Sequence, residues 1–269
     1  MGYLMQTNTY EGLHIINKKQ SITTDELVTE APLQININSE PYTVVMRTPG
    51  NDQDLVLGLL YAEDIYKKSL PIPFEVIEEK FNIPSIINVT ITPSVLGKGY
   101  LNKRTLLSVS SCGICGKQQL EDIKVSGDKI EKKVNFSSEN LLKMFAPLQK
   151  EQETFKKTGG SHAAGIFNNQ FKLLASREDI GRHNAVDKCI GSLLQKQLLK
   201  SGMYLLVSGR VSYEIVSKAF LAKIPVIVAV SACSSMAVDF AKEFGICLIG
   251  FTREDKMTIY ANPSFLEKK

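Results

Sequence analysis

The chain has 269 residues, 43% of them hydrophobic and 22% charged, with a formal net charge of +4. This length and apolar content suit one large or two modest domains with a sizeable buried core. A surplus of charge this small does not point to nucleic acid or a membrane surface as partner, and no run approaches the roughly 18 apolar residues of a membrane helix.

Met1 to Gln20 lacks an apolar core behind a basic start, so no secretion signal is read there and a cytoplasmic location is expected. Met1 to Asp25 is polar and irregular and reads as a mobile arm. Pro32–Asn38 and Tyr42–Arg47 suit two strands around a Ser39-Glu40-Pro41 turn. Asn51 or Asp52 is placed to cap a helix that buries Leu55, Leu59 and Leu60. Ser85–Thr92 and Thr105–Ser110 read as further strands. Ser137–Phe155 is helical, interrupted at Pro147 and ended by Gly159-Gly160. Ala163–Phe167 and Phe171–Ser176 suit a hairpin turning at Asn168-Asn169.

A helix is expected from about Asn184 to Leu199. The chain then alternates: strand Met203–Val207, helix Tyr213–Lys223, strand Pro225–Val230, helix Met236–Phe244, strand Cys247–Phe251. Alternation of this kind implies right-handed crossovers and a largely parallel sheet. The expected architecture is a small α+β domain, residues 1–105, joined to an α/β layered domain, residues 106–269.

Five cysteines are present: Cys112, Cys115, Cys189, Cys233 and Cys247. An odd, scattered set is not a disulfide framework, and a close pair in a reducing compartment is more often catalytic or metal-binding. In Ser110-Ser111-Cys112-Gly113-Ile114-Cys115-Gly116-Lys117 a glycine follows each thiol, freeing the backbone to turn amides toward the sulfurs. A helix start at Gln118–Ile123 and the charge of Lys117 would favour a thiolate, the reactive form. Four readings stay open on this motif: half of a zinc site, a redox pair, incidental thiols, or a sulfur relay through a persulfide. Cys189 and Cys247 lie in apolar runs and read as core; Cys233 sits in a loop.

In a parallel sheet, ligands bind beyond the carboxyl ends of the strands. Three exits are unusual: Ser208-Gly209-Arg210, Ser231-Ala232-Cys233-Ser234-Ser235, and Phe251 leading to Thr252 and Arg253. Small hydroxyl and glycine residues at helix starts expose backbone N–H groups to an anion, and Arg210 and Arg253 could add bidentate contacts. A phosphate-bearing ligand is therefore expected, against the plainer alternative that Ser208 and Ser234 cap helices. His162 lies in a glycine-rich entry to a strand, where a structural hydrogen-bonding role competes with ligand binding. Arg177 to Lys188 packs charge around a helix start, and the plain reading of His183 is capping with Asn184. A zinc deaminase is not expected, because Ala163-Ala164 follows His162 where the H-x-E signature needs a glutamate, and the CxxC precedes the histidine.

Together, Ser111-Cys112-Gly113-Ile114-Cys115-Gly116, Thr158-Gly159-Gly160-Ser161-His162-Ala163, Asp179-Ile180-Gly181-Arg182-His183-Asn184-Ala185-Val186-Asp187-Lys188, Ser208-Gly209-Arg210 and Gly250-Phe251-Thr252-Arg253 resemble the FdhD family. The similarity runs from about Asp25 to Tyr260. It implies a cytidine-deaminase-like layered α/β domain with a smaller added domain, often dimeric. It implies a sulfur carrier for formate dehydrogenase that takes sulfur from a cysteine desulfurase as a persulfide and passes it to Mo-bis(molybdopterin guanine dinucleotide). No permanently bound metal is expected.

Carried over, Cys112 matches the persulfide-forming cysteine and Cys115 its partner. Phe251, Thr252, Arg253, Glu254, Asp255 and Lys256 match the cofactor-binding segment. Family members often have glycines where this chain has Glu254 and Asp255, and asparagine where it has Thr258. His162, Arg182, His183, Ser208, Gly209, Arg210 and Ser231 complete the candidate cofactor-binding set. Two rival classes remain on the sequence: a thiol–disulfide oxidoreductase without a nucleotide ligand, and a cofactor-binding chaperone with dispensable thiols.

Overall fold

The computed structural model describes residues 6–68, 72–100, 127–131 and 134–267. The thiol pair Cys112 and Cys115 and the expected strand Thr105–Ser110 lie outside the described residues. The segment read as an irregular arm forms a ribbon instead, β1 (Thr7–Ile16) antiparallel to β2 (Lys19–Val28). Its two-residue turn, Asn17-Lys18, has φ of 48° and 67°, the left-handed pair that matches the twist of a tight hairpin. Polarity misled the sequence reading: most of the ribbon, including Leu13, Ile15 and Ile22, is exposed on both faces.

β3 (Ala31–Ile37) and β4 (Glu40–Arg47) turn at Asn38-Ser39, one residue earlier than expected, again with both φ positive. β5 (Phe74–Lys80), which the sequence reading missed, pairs with β6 (Ile83–Val89). The sheet order is β4-β3-β6-β5, with β3 parallel to β6. Leu33, Ile35 and Ile37 point to one face and are fully buried, as the period of two requires. They pack against Leu55, Leu59 and Leu60 of α1 (Asp52–Ala62). The expected cap is absent: Asn51 makes no side-chain cap bond, and Asp52 instead binds the fully buried Arg47 at 2.8 Å.

Where one interrupted helix was expected, three short ones follow: α2 (Ser138–Lys143), α3 (Phe145–Lys150) and α4 (Glu153–Thr158). The breaks fall at Met144 and Gln152, not at Pro147. Pro147 is the third residue of α3, where an amide would have no intrahelical acceptor to lose.

The second sheet has the order β12-β11-β10-β9-β7-β8. β7 (His162–Phe167) and β8 (Leu173–Asp179) form the expected hairpin, and α5 (Arg182–Gln195) follows. Then come β9 (Tyr204–Val207), α6 (Tyr213–Leu221), β10 (Val226–Ala229), α7 (Ser235–Phe244) and β11 (Cys247–Arg253). β12 (Lys256–Ala261), not foreseen, returns antiparallel to β11. β9, β10 and β11 run parallel, as expected. Both faces are covered. Leu205, Ile227 and Leu248 join the core under α5, α6 and α7, while Leu206, Val228 and Ile249 join Phe136, Leu148 and Phe265 on the other side.

The four-stranded sheet with α1, the smaller unit, meets the six-stranded sheet with its helices, the larger unit, where α1 crosses α5. A Cβ on Gly58 would fall on the backbone oxygen of Asp187, and one on Gly191 on that of Asp54, so two glycines permit the close crossing. Arg177 joins Asp54 at 2.7 Å and also reaches Ser192, closing the joint with charge.

Candidate functional site

Because β9, β10 and β11 are parallel neighbours, their exits share one edge. Backbone bonds stitch those exits together. Val211 N donates to Ala232 O at 3.0 Å, Ser234 N to Val211 O at 3.0 Å, and Phe251 N to Ser231 O at 3.0 Å. Ser208-Gly209-Arg210, Ser231–Cys233 and Gly250–Thr252 thus form one strip.

His162 joins the strip from β7. Ala163 N donates to Ser208 Oγ at 2.9 Å and Ser208 N to Ala163 O at 3.0 Å, locking the two segments side by side. Ser208 is therefore not a helix cap: Ser212 precedes α6, whereas Ser234 does cap α7 through Ala237 N. A Cβ on Gly209 would stand 3.2 Å from His162 Nδ1 and 3.5 Å from Arg182 Cβ. A side chain there would press on that imidazole and stand in ordinary contact with the arginine.

Burial, and then the charges of Arg182 and Arg210, hold the His162 pKa below its ordinary value, with Asp179 opposing more weakly. The charges of Arg182 and Arg210 thus favour the neutral form of His162, as its burial does. Two polar atoms of the segment are buried without a hydrogen-bond partner among the described residues: Arg182 Nε and Thr252 Oγ1. Buried donors are normally satisfied. With the exposed Arg210, they give this edge the chemistry to hold a phosphate through Arg182, Arg210, Ser208 and Thr252.

The segment Phe251–Lys256 is divided by a bulge between Gly250 and Arg253. Phe251 has φ of 51°, a costly conformation for a bulky aromatic residue. The bulge leaves the Phe251 ring 51% exposed and Thr252 only 2% exposed. Beyond it, Arg253 pairs with Lys256 across a turn, and Glu254 and Asp255 stand exposed at its tip.

Most of the charge in Asp179–Lys188 is structural. Lys188 Nζ meets Asp179 at 2.7 Å with both side chains fully buried, and Lys218 meets Asp187 at 2.7 Å with both largely buried. Asp179 Oδ1 also accepts from Gly181 N and Asn184 Nδ2. The N-terminal residue before α5 is Gly181, so His183 and Asn184 are not caps. His183 Nε2 lies 3.0 Å from both Ser212 Oγ and Glu214 Oε2, beneath the strip. Sequence reasoning missed Ser212 and Glu214; their signal was a hydroxyl and a carboxylate in the first turn after Arg210.

The three described thiols are poor nucleophiles at neutral pH. Burial pushes Cys189 and Cys247 up to about 12 and Cys233 up to about 11. Cys189 is core as expected, donating to Ala164 O at 3.2 Å, while Cys233 lies against Gly250 at the strip. No group of three or more His, Cys, Asp or Glu among the described residues could hold a metal ion. No helix among them is long and apolar enough to cross a membrane.

Compared with known proteins, the chain is 39% identical over 276 residues to a protein of Mycobacterium tuberculosis named sulfur carrier protein FdhD, covering 97% of this chain and 98% of that one. A protein of the same name from Sulfolobus acidocaldarius is 40% identical over 244 residues, covering 90% and 92%. A solved structure from Desulfotalea psychrophila, described as a formate dehydrogenase accessory protein, superposes with a TM-score of 0.77 over 98% of this chain and 100% of its own. At 19% identity that likeness speaks for the fold, a mixed α/β architecture. The model of the FdhD/NarQ family matches residues 28–267, and the chain belongs to that family.

Proposed function

We propose that this chain is a sulfur carrier serving the maturation of formate dehydrogenase. Cys112 attacks the outer sulfur of a cysteine desulfurase persulfide. The S–S bond of the donor breaks, the desulfurase cysteine leaves as thiolate, and Cys112 holds the sulfane sulfur. Cys115 stabilises or resolves that intermediate. The substrate that receives the sulfur is Mo-bis(molybdopterin guanine dinucleotide), before it enters the dehydrogenase. Its phosphate-bearing guanine nucleotide ends are held at the strand exits by Arg182, Arg210, Ser208 and the Phe251–Lys256 segment.

One observation carries the nucleotide half of this proposal: His162, Arg210 and Thr252 belong to one continuous sheet edge, and Arg182, with its unsatisfied Nε, stands against that edge at Gly209. The thiol half is supported by the relatives named as sulfur carriers and by the protonated state of the three other cysteines. We read the larger unit as cytidine-deaminase-like, and the working protein as a cytoplasmic homodimer.

The test is mass spectrometry after incubation with a desulfurase and cysteine. Added sulfur on the wild type, lost in Cys112→Ala, is the expected result. No mass gain on the wild type, with the desulfurase shown active, ends the proposal. Repeating the measurement with a guanine nucleotide asks whether the two halves of the site are linked.

A further inference from the structure

The turn that carries Arg182 is not held by its own unit alone. Thr48, at the end of β4 in the smaller unit, is buried, and each of its polar groups is spent on that turn. Its amide donates to Asp179 Oδ2 at 3.2 Å, its hydroxyl accepts from Ile180 N at 3.1 Å, and its carbonyl accepts from Lys188 Nζ at 2.8 Å. Met46 O adds a fourth bond, from Asn184 Nδ2 at 2.8 Å.

These contacts bracket Arg182 in sequence, with Ile180 two residues before it and Asn184 two residues after. The hydroxyl bond is the one nearest to Arg182, and it fixes an amide that a hydrocarbon could not satisfy.

Resting on the anion site proposed above, we infer that Thr48 is a positioning residue: its hydroxyl sets where the Arg182 guanidinium stands against His162 and Gly209. The smaller unit then contributes to ligand binding without meeting the ligand. The first helical bond of α5 is Ala185 N to Gly181 O, so the turn before it is defined by Asp179, Gly181 and Thr48 rather than by the helix. Loss of the hydroxyl frees the peptide between Asp179 and Ile180 to rotate, and the arginine moves with it.

The experiment measures binding of inorganic pyrophosphate to the full chain by isothermal titration calorimetry, well below the melting temperature. Thr48→Val keeps the shape and loses the acceptor; its affinity is expected to fall about tenfold, within the range by which a residue that meets no ligand modulates binding. Thr48→Ser restores the acceptor and is expected to bind within about twofold of wild type. A purely structural threonine would give a lower melting temperature for Thr48→Val with unchanged affinity, and that result overturns the inference. Should Thr48→Val not fold, Thr48→Ala replaces it with the same expected loss. Arg182→Gln separates the two levels. If it binds as wild type, the anion site is wrong and the inference falls with it; if it loses binding while Thr48→Val does not, only the role of Thr48 is wrong.

Discussion

Two charged segments border the same sheet edge and are built in opposite ways. In Asp179–Lys188 every charge but that of Arg182 and of His183 when protonated is buried in an ion pair, and the turn is shared with the smaller unit through Thr48 and Met46. In Phe251–Lys256 the backbone is distorted at Phe251, and Arg253, Glu254, Asp255 and Lys256 are exposed. The first segment spends its charge on holding a turn still. The second keeps its charge in solvent, where it contributes little to folding and is available to a ligand.

The sharpest way to break that contrast is Lys188→Met. It leaves the Asp179 carboxylate buried without its cation and is expected to cost about 3–5 kcal/mol by chemical denaturation. A loss below about 1 kcal/mol would put the pair in the class of exposed salt bridges and remove the contrast.

A smaller effect comes with acid. The lowered His162 pKa means the unfolded chain binds the proton more readily than the native one. Stability from this group is present above the ordinary value near 6.5 and is lost as pH falls from there toward the native pKa. His162→Gln should flatten that part of the pH–stability curve; an unchanged slope would show that the histidine binds its proton alike in the native and the unfolded chain.

The smallest expected effect sharpens the other side. Arg253→Ala and Lys256→Ala should each change stability by no more than about 0.5 kcal/mol. Both should weaken guanine nucleotide binding, with a gentler dependence on salt. A large loss of stability from either would show that the hairpin is structural after all.

Much of this arrangement was legible in the residues. The alternation from Met203 to Phe251 marked three parallel strands and therefore a shared edge, because a parallel crossover leaves little freedom in where strand ends fall. The run Ser208-Gly209-Arg210 marked a strand exit, and the structure places it at the shared edge. The ribbon Thr7–Val28 was not legible, since a strand exposed on both faces carries no period-two signal against polar loop. Nor was the division of labour around Asp179. Asp179, Arg182, His183 and Lys188 are equally polar in sequence, and only burial separates the anchors from the site.

By itself, then, the order of residues specified the parallel strands β9, β10 and β11, the helices α5, α6 and α7 over them and the edge where their exits meet, because those follow from local periodicity and chain direction. The tertiary structure decided which charges are neutralised in the interior and which are left for a ligand. It also brought Thr48 to a turn more than a hundred residues away, beside a crossing whose closeness needs glycine at 58 and 191. Pairing between distant segments depends on packing, and packing is not written in any one stretch of the chain.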